Sequence, residues 1–314
     1  MSGPLKGIKV IDFTRVLAGP HFTKILCDMG AEVIKIEHPE NGDLSRLGPP
    51  ITKNFSHYYV QQNVGKKCIS LDLNKKEGRA IVEQLIKKAD IVAENFRPGT
   101  LAAFKLDYDS IKDLNKKLVY VSISGYGQDG PMRWKAAFAP TVHAECGTAF
   151  AKFKHENIKL TDFEAMQSDF SHADVYTGLE ASISCLAALN NAQKTGIGQH
   201  IDISLAATMI AVNERAHAEL SGDNDNGGEP FALSAPISPY LRLNSGEIVV
   251  IAASPILSFV FFRYARMMRR LDLIDNPKYK TAKLRRQNYK DLMKEVNDWV
   301  STFRNAEDLE VQVG

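Results

Sequence analysis

Between residues 168 and 205 the hydrophobic positions change period. After a polar approach, Val175, Leu179, Ile183 and Leu186 recur at i, i+4, i+8 and i+11, the spacing of a helix with one buried face. A turn punctuated by Gly196 and Gly198 then leads into QHIDISL, which reads as a strand. Upstream, short apolar runs predict strands at 8–13, 32–36, about 68–71, 91–94 and 118–122. Helices are predicted from Gly19-Pro20 to Met29, over 75–88 and from about Thr100. Such alternation points to an α/β domain with a mainly parallel sheet, whose ligands bind outside the carboxyl ends of its strands. Those ends read Asp12-Phe13-Thr14-Arg15, Glu37-His38-Pro39, Glu94-Asn95-Phe96-Arg97 and Ser124-Gly125-Tyr126-Gly127-Gln128.

Residues 39–67 carry no period and read as irregular chain, a length that in a compact domain usually covers something. Within that stretch and its end, Lys66-Lys67 can either meet phosphate groups or be solvated. Helical pattern resumes after Leu205 to about 220. SGDNDNGGE at 221–229 is the most linker-like segment. The expected organisation is a large Rossmann-like domain over 1–220, a linker over 221–229 and a smaller α+β domain over 230–314. In the latter, 239–243 and 247–252 form a hairpin followed by helices. Arg263, Arg266, Arg269 and Arg270 read as the exposed face of one helix rather than a nucleic-acid site.

Composition narrows the function classes. With 39 basic and 37 acidic residues in 314 and a net charge of +2, no overall field selects nucleic acid or an anionic membrane. No secretory signal and no spanning apolar run is evident, so a cytoplasmic protein is expected. Cys27, Cys68, Cys146 and Cys185 are scattered, which predicts reduced packing residues rather than a metal site. Neither G-x-G-x-x-G after the first strand nor a phosphate-loop lysine motif occurs.

The residue with most chemical potential is Asp174, in the first turn of the predicted helix. There the unpaired N–H groups and the macrodipole favour an anion. Ser171 and Asp174 have capping-box spacing, so this carboxylate is either a cap or a nucleophile towards an activated acyl group.

The segments KVIDFTRVLAGP, DMGAEVIKIEHPENGD, GKKCISLDL, DIVAENFRPG, LVYVSISGYGQDGP, ADVYTGLEASISCLAAL and TGIGQHIDISL, in this order, resemble the class III coenzyme A transferase family. That family includes formyl-CoA transferase, carnitine CoA-transferase and α-methylacyl-CoA racemase. The resemblance covers about the first 210 residues and is weaker beyond. It implies a large Rossmann-like domain with a smaller one, in two protomers interlocked like chain links, and hence a homodimer. It matches Asp174, in the D-x-x-x-G frame ending at Gly178, to the catalytic aspartate. It places Leu71 and Asn95 near the bound coenzyme, Phe104 against the adenine, and His38 where the family usually has an arginine. Coenzyme A thioester is then a substrate, the partners are an acyl-CoA and an acceptor carboxylic acid, and no permanent cofactor or metal is needed.

The implied activity is transfer of CoA between carboxylic acids through aspartyl-acyl and aspartyl-CoA intermediates. The alternatives are a racemase-like CoA-ester isomerase and a CoA-ester binding protein without turnover. Leu17 stands where formyl-CoA transferase has glutamine, and Phe138-Ala139-Pro140 where the racemase branch has its histidine, with His143 close by. Gly227-Gly228 is a candidate cover over the site. Arg15, Arg46 and His143 are candidates for a distal carboxylate of the acyl group, either as its partners or as structural residues. The chain is expected to lack the segment by which family members return to the large domain.

Overall fold

The computed structural model describes residues 3–149, 171–213, 240–251 and 254–313. The chain forms two compact units, Met1–Asn224 and Asp225–Gly314. The linker expected at 221–229 and the Gly227-Gly228 pair lie outside the described residues.

The first unit is built on a six-stranded, wholly parallel sheet. In chain order its strands are β1 (Lys9–Asp12), β2 (Glu32–Glu37), β5 (Lys67–Ser70), β6 (Ile91–Glu94), β7 (Val119–Ser124) and β8 (Gln199–Ser204). Between β2 and β5, β3 (Ile51–Thr52) and β4 (Phe55–Ser56) form a separate small ladder. The spatial order of the sheet is β5-β2-β1-β6-β7-β8. The chain therefore winds outward from β1 through β2 to β5, then returns to the other side of β1 with β6. Consecutive connections leave β1 and β6 in opposite directions, which opens a crevice beyond their carboxyl ends.

Helices cover both faces because central strands such as β6 and β7 are buried on both sides. On one face α1 (Ala18–Asp28) and the long helix α6 (His172–Thr195) pack over Val10, Ile91, Val119, Val121 and Ile123. On the other, α3 (Lys76–Ile86) and α4 (Tyr108–Ile111) cover Ile11, Val92, Leu118 and Tyr120. The remaining helices of this unit are α2 (His57–Asn63), α5 (Ala139–Glu145) and α7 (Leu205–Val212).

Two expectations are corrected here. Helix α6 forms, but its buried face is Ala173, Thr177, Gly178, Ala181, Ser182, Cys185, Ala188, Leu189 and Ala192. Leu179 and Ile183 point outward, at 44% and 71% exposure. Small residues face in because α1 approaches closely: a Cβ on Gly178 would lie 2.9 Å from the Ala18 carbonyl oxygen. Larger apolar residues could not fit that seam. Residues 39–67 are also more regular than expected. Asp43 caps a 3₁₀ turn (Leu44–Leu47) by accepting from the Ser45 N–H, and Ser56 caps α2 by accepting from the Tyr59 N–H at 3.1 Å.

The second unit pairs β9 (Tyr240–Arg242) and β10 (Ile248–Val250) antiparallel, the expected hairpin. Its helices, including α8 (Ser258–Met267), close a core of Leu241, Phe261, Tyr264, Leu292, Val296 and Val300. Arg263, Arg266 and Arg269 are exposed, and Arg270 is tied to Asp272 and Glu295.

Buried ion pairs fasten the sheet to its loops. The fully buried Lys66 ammonium lies 3.2 Å from Asp12 Oδ2 and donates to Pro20 O, Thr23 Oγ1 and Asn63 Oδ1. It is a structural cation, not a free partner for phosphate. Its neighbour Lys67 pairs with Glu32 at the surface. Removing one member of a buried pair strands the other charge. Lys66→Met should lower stability in urea unfolding by about 3–5 kcal/mol, and Lys67→Met by less than about 1 kcal/mol. Equal losses would refute the anchoring role given to Lys66.

Candidate active site

The crevice at the carboxyl ends of β1 and β6 is shaped by residues 14–18, and the peptide groups of Thr14, Arg15, Val16 and Ala18 are held from outside the loop. Asp12 Oδ1 accepts from the Thr14 N–H at 2.8 Å, and the buried Lys35 ammonium donates to the Thr14 carbonyl. Asn95, just beyond β6, clasps the next residue at both ends: its Oδ1 accepts from the Arg15 N–H and its Nδ2 donates to the Arg15 carbonyl, both at 2.8 Å. The Val16 N–H donates to Asp43 Oδ1 at 3.0 Å. Val16 is left-handed, with φ of 69°. A β-branched residue there is strained by about 1–3 kcal/mol and needs such support.

The underlying charges are arranged to hold that loop. Asp43 Oδ2, which receives no hydrogen bond, lies 3.1 Å from Lys35 Nζ. Burial pushes the Asp12 and Asp43 carboxyls up, but Lys66 and Lys35 around Asp12, and Lys35 with Ser45 and Val16 N–H groups around Asp43, hold both below the ordinary carboxylate range. Gly19 completes the turn, since a Cβ there would fall 2.3 Å from Thr14 Cβ and 3.1 Å from Asn95 Cγ.

The loop ends at α1, whose first N–H, that of Ala18, is directed at Asp174. Gly178, one turn further along α6, permits the approach that brings the two together. Asp174 is half-buried, and burial pushes its carboxyl up to about 6 in spite of hydrogen bonds from the Ala18 and Asp174 N–H groups. Ser171 provides no side-chain cap, so the capping box, one of the two alternatives for this spacing, does not form. Instead His143, on α5, accepts the Ala173 N–H at Nε2, at 3.0 Å.

Asp174 and Asn95 line one cavity of about 180 Å³, with Arg15, Val16, Phe96, Arg97, Ser124, Phe138 and Leu205 among its walls. That is smaller than the roughly 300–1,000 Å³ of a site that encloses a whole ligand, and suits the reacting end of a long one. The other residues named from the resemblance lie elsewhere. His38 follows β2, where its Nδ1 accepts from the Glu40 N–H, and Leu71 follows β5, its N–H bonded to Glu37 O at 2.9 Å. Phe104 ends a 3₁₀ turn (Ala102–Phe104) against the opposite face of the sheet. Arg46 is committed to Glu37 in a two-point ion pair, leaving Arg15 and Arg97 as the arginines of the cavity.

Sequence reasoning missed Tyr58 on α2, whose phenol is pushed up by burial and by the Asp174 and Asp43 carboxylates. It also missed Lys35, Asp43 and the His143 cap. The short spacing from Asp43 to Ser45 was the one local signal among them.

The α/β chain thus places a desolvated carboxylate, chemically able to attack an electrophile, at a helix start beyond the switch of strand order. This chain belongs to CoA-transferase family III, whose family model matches residues 5–312. It is 32% identical over 311 residues to the succinyl-CoA–L-malate CoA-transferase β subunit of Chloroflexus aurantiacus, covering 98% of this chain and 75% of that one. It is 41% identical over 228 residues to the succinate–glutarate CoA-transferase of Agrobacterium fabrum, covering 70% of this chain and 56% of that protein, so it spans just over half of that relative's length. A CAIB/BAIF family protein from Brucella suis superposes with a TM-score of 0.77 at 30% identity, covering 100% of this chain and 82% of the other. Among the described residues no helix is long and apolar enough to cross a membrane.

Proposed function

We propose that this protein is an acyl-CoA:carboxylate CoA-transferase with Asp174 as its nucleophile. The observation that carries this reading is the setting of Asp174: a half-buried carboxylate with its proton affinity raised to about 6, in the first turn of α6 beside the Ala18 N–H. Such a group is ionised near neutrality yet more basic and less solvated than an ordinary aspartate.

An Asp174 oxygen adds to the thioester carbonyl carbon of the donor. The C–S bond breaks, its electron pair leaves with sulfur as CoA thiolate, and an aspartyl-acyl anhydride remains. The thiolate then adds to the Asp174 carbonyl carbon and the donor carboxylate departs, leaving an aspartyl-CoA thioester. An acceptor carboxylate attacks that carbon and expels the thiolate, which takes the new acyl carbonyl and frees Asp174. No proton is gained or lost, so the residues needed are hydrogen-bond donors for the transient oxyanions rather than a general base. Phe138 in the cavity wall and the engagement of His143 with the Ala173 N–H support transfer over isomerisation, which needs a base beside the α-carbon.

A dicarboxylic acyl group fits the cavity best. Arg15 lines it with its guanidinium 5.0 Å from the Phe96 ring centroid and no carboxylate partner among the described residues. Relatives are named for succinyl, malate and glutarate transfer. Two copies of the chain form the working unit in this reading, supported by the outward apolar residues Leu179 and Ile183 on α6.

Trapping with hydroxylamine during turnover of succinyl-CoA should modify the wild type at Asp174, mapped by peptide mass. Asp174→Asn should show no adduct and lose at least about 10³-fold in kcat. An equal adduct in the variant would remove Asp174 from the mechanism. The single-turnover rate should rise with pH through about 6, as the carboxyl ionises. Holding that charge works against folding above the ordinary value of 3.8, so the Asn variant should be more stable at pH 7, by at most about 3 kcal/mol. Arg15→Leu should raise KM for dicarboxylates about tenfold or more while leaving monocarboxylates nearly unchanged; a uniform effect would count against carboxylate pairing. Light scattering should give a dimer mass, and Ile183→Lys should shift it towards the monomer. A monomeric wild type would end the dimer reading.

A further inference from the structure

We infer that His143 is a positioning residue for Asp174, holding the first turn of α6 in the geometry that presents the carboxylate to the cavity. The inference rests on Asp174 being the nucleophile.

The first N–H groups of a helix have no partners within it, and Ser171 does not supply one. The Ala173 N–H, immediately before the nucleophile, instead meets His143 Nε2 at 3.0 Å. Ala173 is fully buried and His143 is 8% exposed, so water cannot replace the bond. His143 rides on α5, preceded directly by Phe138, a wall of the Asp174 cavity. Its own carbonyl accepts from Thr148 Oγ1 at 2.9 Å, which restrains the end of that helix. One imidazole thus links the cavity wall to the turn that carries the nucleophile.

The link requires a lone pair on Nε2, hence a neutral ring with its proton on Nδ1. Burial first, and His172 second, pull His143 below the ordinary histidine value, which favours that form. The groups around it are consistent. The His172 ring lies 6.1 Å away and is itself stacked on Tyr176. Glu145, on the same helix, is engaged by Tyr126 and Lys135. Helix α7, which packs on α5, has no titratable side chain. Asp174 is the remaining carboxylate of this turn. Protonating His143 would set a donor against a donor and add positive charge at the positive end of α6.

The test compares wild type, His143→Leu and His143→Gln in the full chain, by steady-state kinetics, pH profile and rate of hydroxylamine-trapped adduct formation with succinyl-CoA. Leu removes the acceptor. It should lower kcat and the adduct rate by about 10²-fold, with KM for succinyl-CoA changed less than about threefold and the circular dichroism retained. Gln supplies an amide oxygen that does not titrate and should restore most of that rate. Its acid limb should follow one ionisation where the wild type steepens towards two. A Leu variant with wild-type kcat would overturn the inference. Should Leu fail to fold, a Gln variant with the wild-type acid limb, or with no more activity than a cavity-wall substitution such as Phe138→Ala, would overturn it equally. If wild-type adduct forms at a residue other than Asp174, the nucleophile assignment fails first. If it forms at Asp174 as fast in the Leu variant as in the wild type, only the role of His143 fails.

Discussion

Four buried charges, Asp12, Lys66, Lys35 and Asp43, are what the rest of the first unit depends on. Each is 0–1% exposed at its side chain, and an isolated ion so deeply placed would be strongly unfavourable. They are tolerable together because the two lysines alternate with the two aspartates and nearly all remaining donors and acceptors are used. The arrangement fastens β1, β2 and the loop after Asp43 to residues 14–16. A hydrophobic core could give comparable stability there, but it could not grip individual peptide groups. The strained backbone of Val16 is the sign that gripping is what the network accomplishes.

The sheet order gives this fastening its location. Strands β1 and β6 are neighbours in space though far apart in sequence, and Asn95 reaches across their ends to the peptide of Arg15, 80 residues earlier. From that point a chain of main-chain positions runs through Val16 to Ala18 and so to Asp174. Asp174 is therefore located relative to the central strands by hydrogen bonds and by the helix seam at Gly178.

What the sequence made legible follows from the range of the interactions. The parallel strands were readable because burial on both faces leaves short apolar runs such as IVAE and VYVSIS. Helix α6 was readable as a helix, yet its inward face was misassigned: the hydrophobic rule looks for large residues, and here close backbone approach selects alanine, glycine, serine and cysteine. Asp174 was visible through its motif and helix-start position. Its supports were not, because Lys35 with Asp43, Asn95 with Arg15 and His143 with Ala173 pair across separations that leave no local period. Spacing alone could not decide on the cap for a related reason: Ser171 has suitable chemistry, but the Ala173 N–H is taken by the distant imidazole.

Residue 15 shows what this construction allows. Both polar groups of its peptide are taken by Asn95, so the main chain there does not depend on which side chain it carries, and that side chain faces the cavity from an exposed position. Main-chain support and cavity lining are separate properties of one residue. Exchanging that side chain would change the charge and shape of the cavity wall while the hydrogen-bonded mounting beside Asp174 stayed untouched.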